Sequence, residues 1–340
     1  MMEVAKVETA KASATKTATM LEAINMALAD AMADDDKVLV LGEDVADTES
    51  GGVVGVTRGL SARFGDKRVR STPISEQAIV GAAIGASMTG WKPVAEIMMM
   101  NFTTVAMDMI VNHAAKLRFM SGGQTSVPIT IRTMTGVGLG SGGQHSDYLE
   151  AWFAHTAGMK VVAASNPADA YGLLRSCIED PDPCLFIENL PSYWTPGAPP
   201  KRGERIPLGK ARIAREGTDV TVVTYARMVD EALAAAEAVA KEGLSIEIID
   251  LRTISPWDRD TVLASARKTG RVLIVHEAVK KFGVGAEIAA DIGHALFGVL
   301  KKPVERLGAP FSPSPFSKPL ETQFAPDRIR IGAAVAALAK

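Results

Sequence analysis

Glu76 is the carboxylate in this chain that is best placed for chemistry. It follows Pro73 in Arg70-STPISE and starts a predicted helix whose next turns are rich in glycine and alanine. Such small residues let another backbone approach closely. A first-turn carboxylate can also simply complement the helix dipole, a contribution of about 0.3–1 kcal/mol. The residues alone favour the dipole role, because acids are common at helix starts.

His145 ends a second segment of interest, Gly136-VGLGSGGQHS, which has five glycines between residues 136 and 143. The segment does not open a helix and no P-loop lysine follows it, so neither nucleotide-binding signature is matched. A histidine on such a loop suits acid–base chemistry because its pKa lies near neutrality. The alternative is a loop histidine that only hydrogen-bonds to backbone.

Apolar runs and helical periodicities alternate along the chain and must position these residues. Helices are predicted at residues 20–34, 76–89, 102–120 and 167–179, and strands at 38–41, 68–72, 92–100, 127–133, 160–165 and 183–188. A segment rich in Pro and Gly, residues 190–207, interrupts the pattern, and a βαβ unit follows at 219–252. This order predicts an α/β protein of two domains, each a mostly parallel sheet flanked by helices.

The predicted limits are a flexible N-terminal arm at residues 1–18, a first domain at 19–190, a linker at 191–207 and a second domain at 208–340. The arm has no apolar core typical of a secretory signal. It also has two acids and no arginine, so a mitochondrial targeting peptide is poorly supported. A bacterial cytoplasmic location is therefore the simpler prediction.

The composition limits the classes of partner. The formal net charge is −2 and no apolar run approaches the roughly 18 residues that a membrane span needs, so neither a nucleic-acid nor a membrane partner is predicted. Cys177 and Cys184 are the two cysteines and lack the spacing of a metal site. A reducing compartment fits them best.

Ordered segments across residues 20–340 resemble the β subunit of the thiamine-diphosphate-dependent component of 2-oxo acid dehydrogenase complexes. Pyruvate, branched-chain 2-oxo acid and acetoin dehydrogenases are members of this transketolase-like superfamily. The matching segments are Leu41-GEDV, Gly55-VTRGL, Phe64-GDKRV, Thr72-PISE, Gly81-AAIGASMTGWKPVAEI, Asn101-F, Lys116-LRFMSGG, Gln144-HS, Pro167-ADAYGLL, Asp250-LRTISP and Val275-HEAV. The resemblance implies a pyrimidine-binding domain at 19–190 and a transketolase C-terminal-like domain at 208–340.

The resemblance also implies partners and cofactors. Relatives form tetramers of two α and two β subunits that share thiamine diphosphate, and the α subunit holds the diphosphate and Mg²⁺ through Gly-Asp-Gly and a later Asn. Here the Gly-Asp pair is Gly65-Asp66, followed by Lys67. The chain is therefore predicted to be active only with its α subunit. Docking to the lipoyl acyltransferase core of a complex is expected of the second domain.

Residue roles carry over at matching positions. The Glu that matches Glu76 hydrogen-bonds the ring nitrogen of the aminopyrimidine, which helps to deprotonate the thiazolium carbon. Phe102 matches an aromatic residue that packs on the pyrimidine, Glu43 a second carboxylate near the cofactor, and His145 a histidine that positions substrate or assists acyl transfer to the lipoyl group. Some relatives bind K⁺ at positions that match Ile129, Cys177, Ile178, Asp180 and Asp182.

The substrate is left open. Residues 50–60 and 206–217 resemble the acetoin branch, residues 275–289 the pyruvate and branched-chain branches, and Gln144-His145-Ser146 the pyruvate and acetoin pattern. One alternative is a complete transketolase-like enzyme, against which the length and the missing diphosphate motif count. Another is a non-catalytic α/β scaffolding subunit, which the presence of both Glu76 and His145 disfavours.

Overall fold

The computed structural model of the protein describes residues 17–340, so the predicted N-terminal arm lies almost entirely outside the described residues. The helices are α1 (Met20–Asp34), α2 (Leu60–Phe64), α3 (Glu76–Ser87), α4 (Leu117–Met120), α5 (Glu150–Ala154), α6 (Pro167–Glu179), α7 (Met228–Ala240), α8 (Arg259–Thr269), α9 (Val284–Ala295), α10 (Lys318–Phe324) and α11 (Arg328–Ala339). The strands are β1 (Ala18–Thr19), β2 (Val38–Gly42), β3 (Val69–Ser71), β4 (Lys92–Met99), β5 (Thr130–Thr135), β6 (Lys160–Ala163), β7 (Cys184–Asn189), β8 (Pro196–Gly197), β9 (Arg212–Arg215), β10 (Val220–Thr224), β11 (Ile246–Asp250), β12 (Thr253–Ser255), β13 (Val272–Val279) and β14 (Glu305–Ala309).

The first sheet has seven strands in the order β12-β6-β7-β5-β4-β2-β3. Its strands are parallel except for β12. Every residue of the central strands β5 and β7 is buried, as expected for strands covered on both faces. Helices α1 and α6 pack together on one face, where Ile24, Leu28 and Leu174 belong to one core cluster. Helix α3 packs on the other face through Ile79 and Val80.

Capping residues fix where the first-face helices begin. The Thr19 hydroxyl accepts a hydrogen bond from Glu22 N at 3.2 Å, and the Glu22 carboxylate accepts one from Thr19 N at 2.8 Å. This reciprocal capping box sets the start of α1. The Asn166 side chain accepts from Asp169 N at 3.0 Å, and Pro167 occupies the first position of α6. Both helices have the predicted bounds.

The second sheet has the order β14-β13-β10-β11-β9, and only β9 is antiparallel to its neighbour. Helices α7 and α11 pack on one face and α8 and α9 on the other. The predicted class, two α/β domains that each have a mostly parallel sheet flanked by helices, is confirmed. One connection was not predicted. After β11 the chain turns through Arg252, whose φ is +58°, and β12 joins the edge of the first sheet beside β6.

The predicted continuous helix at residues 102–120 is wrong. A 3₁₀ segment (Met100–Thr104), a π-helix (Met109–Ala114) and the short helix α4 replace it. The hydroxyls of Thr103 and Thr104 donate to Met100 O at 2.6 Å and Asn101 O at 2.8 Å. Such local bonds compete with the hydrogen bonds of an α-helix, and they hold the first turn in the tighter form.

Candidate functional site

Four predicted site residues lie along one edge of the first sheet. Glu43 follows β2, Glu76 follows β3, Phe102 follows β4 and His145 follows β5. These strands are neighbours and parallel, so their carboxyl ends meet at the same edge. The chain places β3 on one side of β2 and then β4 on the other. Ligands of parallel α/β sheets bind in the crevice at such a reversal.

Glu76 is the first residue of α3 and only 8% of its surface is exposed. Among residues 17–340 no side chain or backbone group donates a hydrogen bond to its carboxylate. The neighbouring acid is Glu43, whose pKa is raised first by burial and then by the negative charges of Glu76 and Asp44. Neither carboxylate has an oxygen among the enclosed, unpaired side-chain atoms of the described residues, so both reach solvent. The pair is therefore open to a donor from a ligand.

Phe102 and His145 form the aromatic part of the site. Their ring centroids are 5.3 Å apart and the rings meet edge to face at 78°. The adjacent residue Asn101 positions the histidine segment, because its Nδ2 donates to Gly143 O at 3.1 Å and to Asp147 Oδ2 at 2.9 Å. Its Oδ1 accepts from Asp147 N at 3.2 Å. The sequence marked Asn101 as part of a matching segment but gave it no role.

A buried ion network that was not predicted crosses the same sheet. Arg132 donates from Nε and Nη2 to the two oxygens of Glu188, at 2.6 and 2.8 Å, and from Nη1 to Glu96 at 2.7 Å. The Tyr193 hydroxyl also donates to Glu188. Burial is the largest influence on the Glu96 carboxyl and raises its pKa, while Arg132 acts in the opposite direction. The single sequence signal was a charged residue inside otherwise apolar strands.

Two further titratable groups are buried where the two sheets meet. The Tyr225 hydroxyl donates to Glu150 Oε1 at 2.6 Å, and burial raises the pKa of Glu150 to about 7. The His276 ring stacks on Tyr225 with centroids 6.4 Å apart, and burial lowers its pKa to about 4. Both groups are thus held in their neutral forms near pH 6.

The residues predicted to bind potassium cluster around the end of α6 and the start of β7. Lys160 Nζ lies 2.6 and 2.7 Å from the oxygens of Asp180 and 3.4 Å from Asp182. Arg118 is 2.6 Å from Asp182. Cys177 O accepts from Asp180 N, and Ile129 O accepts from Cys184 N. The two carboxylates thus already have cationic partners, with which a potassium ion would compete.

Residues 17–340 contain neither a metal-ligand cluster nor a helix that could cross a membrane. No cluster of three or more His, Cys, Asp and Glu side chains there is arranged to hold a metal ion. None of the helices in that part of the chain combines the length and the apolar character that crossing a membrane requires.

Comparison with known proteins decides the family. Residues 16–193 match the transketolase pyrimidine-binding domain and residues 209–331 the transketolase C-terminal domain. The chain is 46% identical over 320 residues to the acetoin:2,6-dichlorophenolindophenol oxidoreductase subunit β of Cupriavidus necator, with 92% of this chain and 94% of the relative covered. The chain belongs to the transketolase-like family of dehydrogenase β subunits.

Other relatives of this β subunit agree with that assignment. The pyruvate dehydrogenase E1 component subunit β of Bacillus subtilis is 43% identical over 301 residues, covering 88% of this chain and 92% of the relative. A solved structure described as a split-gene transketolase, inactive β4 tetramer, superposes with a TM-score of 0.77 at 22% identity, covering 94% of this chain and 97% of that one. This likeness shows the fold alone. The predicted family is confirmed.

Proposed function

We propose that this chain is the β subunit of a heterotetrameric, thiamine-diphosphate-dependent dehydrogenase component. It decarboxylates a 2-oxo acid of the pyruvate type or cleaves acetoin, and it transfers the acyl group to the lipoyl domain of an acyltransferase. Family membership supports the reaction class. The observation that carries the proposal is the buried, unpartnered Glu76 carboxylate at the carboxyl edge of the sheet.

The site suits the pyrimidine half of the cofactor. A ring nitrogen that carries a proton is the donor that the Glu76 carboxylate lacks, and the half-buried ring of Phe102 offers an apolar face. When bound, thiamine diphosphate supplies the nucleophilic carbon for attack on the substrate carbonyl. The diphosphate and Mg²⁺ fall to the α subunit in this proposal, so the chain is inactive without it.

The two carboxylates have different roles. Glu76 holds a proton between its carboxylate and the ring nitrogen and orients the pyrimidine. Burial, and then the negative charges of Glu76 and Asp44, raise the pKa of Glu43. As the pH falls, Glu43 takes up a proton above the usual range of a glutamate. The acid side of the activity profile should therefore depend on Glu43.

His145 contacts the ring of Phe102 edge to face. In this proposal its imidazole positions the substrate or assists transfer of the acyl group to the lipoyl sulfur. The loop at Asp180 and Asp182 is a K⁺ site in which Lys160 competes for the carboxylates, so potassium binding is weak. The enzyme works in the bacterial cytoplasm.

Reconstitution tests the proposal. The purified chain, a candidate α subunit and their mixture are assayed for thiamine-diphosphate-dependent dye reduction with acetoin, pyruvate and a branched-chain 2-oxo acid. We expect turnover in the mixture alone, with one substrate class preferred. Full activity of the isolated chain would indicate the complete transketolase-like enzyme instead. An assembled tetramer that is inactive with every substrate would indicate the scaffolding role.

A further inference from the structure

The glycine-rich loop that leads to His145 is held by acids from the second domain. The Glu321 carboxylate accepts hydrogen bonds from Gly138 N at 2.6 Å and from Gly140 N at 3.0 and 3.1 Å. Glu277 accepts one from Val137 N at 2.7 Å. These partners are 140 to 183 positions apart in the sequence. The first domain carries the loop, and the second domain holds its backbone.

The burial of Glu321 is explained by its contacts with this loop. It lies in α10, is 4% exposed, and no Lys, Arg or His nitrogen among residues 17–340 lies within 4.0 Å of its carboxylate. A buried carboxylate of this kind persists because backbone N–H groups satisfy it. The loop amides are those donors. The carboxylate and the loop conformation therefore depend on each other.

Contacts beside Glu321 fix the same loop sterically. The Phe316 ring lies so close over Gly142 that any Cβ there would overlap it, and Gly142 has a φ of +70°. A Cβ on Gly143 would lie 3.0 Å from Pro313 Cβ. At position 142, only glycine can combine the positive φ with so close an approach of the Phe316 ring. The segment before α10 thus covers the loop that α10 holds.

His145 stands between two anchors. Glu321 fixes residues 138–140 before it, and Asn101 fixes Gly143 and Asp147 on either side of it. The anchor at Asn101 belongs to the strand end that also carries Phe102. The anchor at Glu321 is the part of the site that comes from the second domain.

We propose that Glu321 is a positioning residue, whose buried carboxylate fixes the glycine-rich loop and so aims His145 into the active site. The proposal rests on the proposed function of His145. It gives the second domain a part in the reaction, in addition to assembly. It does not require Glu321 to touch substrate or cofactor.

Hydrogen exchange of the reconstituted α₂β₂ enzyme tests the anchoring directly. In Glu321→Ala, exchange of the peptide spanning residues 136–146 should become at least about tenfold faster, since hydrogen bonds to a charged group are lost. Peptides of β4 and β7 should be unchanged. Glu321→Gln keeps one acceptor oxygen and should give a smaller acceleration. The control is Gln323→Ala, an exposed change on the same helix, which should leave both exchange and activity unaltered.

Activity then tests the link to His145. Glu321→Ala should lower kcat by roughly ten- to a hundredfold, as displaced catalytic groups do, with little change in the KM for thiamine diphosphate. Glu321→Gln should restore most of it. The double variant with His145→Ala should be no slower than His145→Ala alone. Additive losses, or unchanged loop exchange in Glu321→Ala, would overturn the proposal.

Failure of the proposed function looks different. If the wild-type mixture turns over none of the substrates, or if His145→Ala is fully active, the assigned reaction or the role of His145 is wrong. If His145→Ala is fully active, the orientation of His145 does not affect the reaction, and the positioning role of Glu321 is overturned as well. In the first case the exchange of the loop still decides the anchoring. Should Glu321→Ala fail to assemble, Glu321→Gln is compared with wild type instead, and unchanged exchange of residues 136–146 in that variant would overturn the proposal.

Discussion

Two pairs of glutamates lie in the first sheet or at its edge, and they differ in whether the protein supplies a cationic partner. Glu96 and Glu188 share Arg132, whose three donating nitrogens lie 2.6 to 2.8 Å from them. Among residues 17–340 no such cation contacts Glu43 or Glu76, and burial followed by the negative charge of Glu76 raises the pKa of Glu43. The first pair is satisfied within the protein and stabilises it. The second pair has no hydrogen-bond donor among the described residues and is open to one from a ligand.

Glu76→Gln should show the largest effect on activity. The amide keeps the shape of the side chain but cannot accept the proton, so turnover of the reconstituted enzyme should fall by about 10²–10⁴-fold. The free energy of unfolding in urea should change by less than about 0.5 kcal/mol, because no hydrogen bond within the chain is lost. Near-normal turnover would show that the unpartnered carboxylate is not functional.

Arg132→Met should show the largest effect on stability. It leaves Glu96 and Glu188 buried without a cation, which costs about 3–5 kcal/mol. The matched control is Arg118→Met, which removes an exposed partner of Asp182 and should cost no more than about 1 kcal/mol. Urea denaturation of the two variants measures both values. Equal costs would mean that the Arg132 network stabilises the fold no more than the exposed Arg118–Asp182 pair does.

Glu150 is a third kind of buried acid, because burial favours its protonated form. Its pKa rises from 4.5 to about 7 in the folded chain, so folding stability falls as the pH rises between those values. His276 is lowered from 6.5 to about 4, so its contribution rises with pH over nearly the same interval. The two slopes oppose each other in the wild type.

Glu150→Gln removes the falling contribution. The stability of this variant relative to wild type should therefore increase from pH 4.5 to 7, by at most about 1.4 kcal/mol per pH unit. Urea denaturation at pH 5, 6 and 7 measures the difference. Parallel profiles of variant and wild type would contradict the assignment of a neutral Glu150.

Lys160→Met should show the smallest effect. In the wild type, replacing NaCl by KCl at equal ionic strength should hardly move Tm, because the ammonium group already neutralises Asp180. Without that ammonium group, K⁺ binding should raise Tm by about 2–4 °C. The same Tm difference between the salts in both proteins would show that Lys160 and potassium do not compete.

Local signals in the sequence predicted much of this structure. Helical periodicity predicted the bounds of α1 and α6, and apolar runs located the strands that precede Glu43, Glu76 and His145. The prediction failed at one feature decided by local hydrogen bonds and at one decided by a distant contact. The segment after Phe102 has helical periodicity but is broken by threonine hydroxyls, and β12 is three residues long and depends on a partner strand.

The missed parts of the site depend on distant contacts, as β12 does. Arg132 meets Glu188 across 56 positions and Gly138 meets Glu321 across 183. Nothing near Glu321 in the sequence indicates a role at a loop of the other domain. The first pair depends on the order of the strands in one sheet, and the second depends on how the two domains are placed together.

The central claim is that this chain provides one half of a cofactor site, and calorimetric titration with thiamine diphosphate and Mg²⁺ tests it most directly. The chain alone, its α partner alone and the assembled tetramer are titrated under the same conditions. We predict tight binding to the tetramer and at least about a hundredfold weaker binding to the chain alone, because each subunit supplies only part of the contacts. Binding to the isolated chain as tight as to the tetramer would contradict the account.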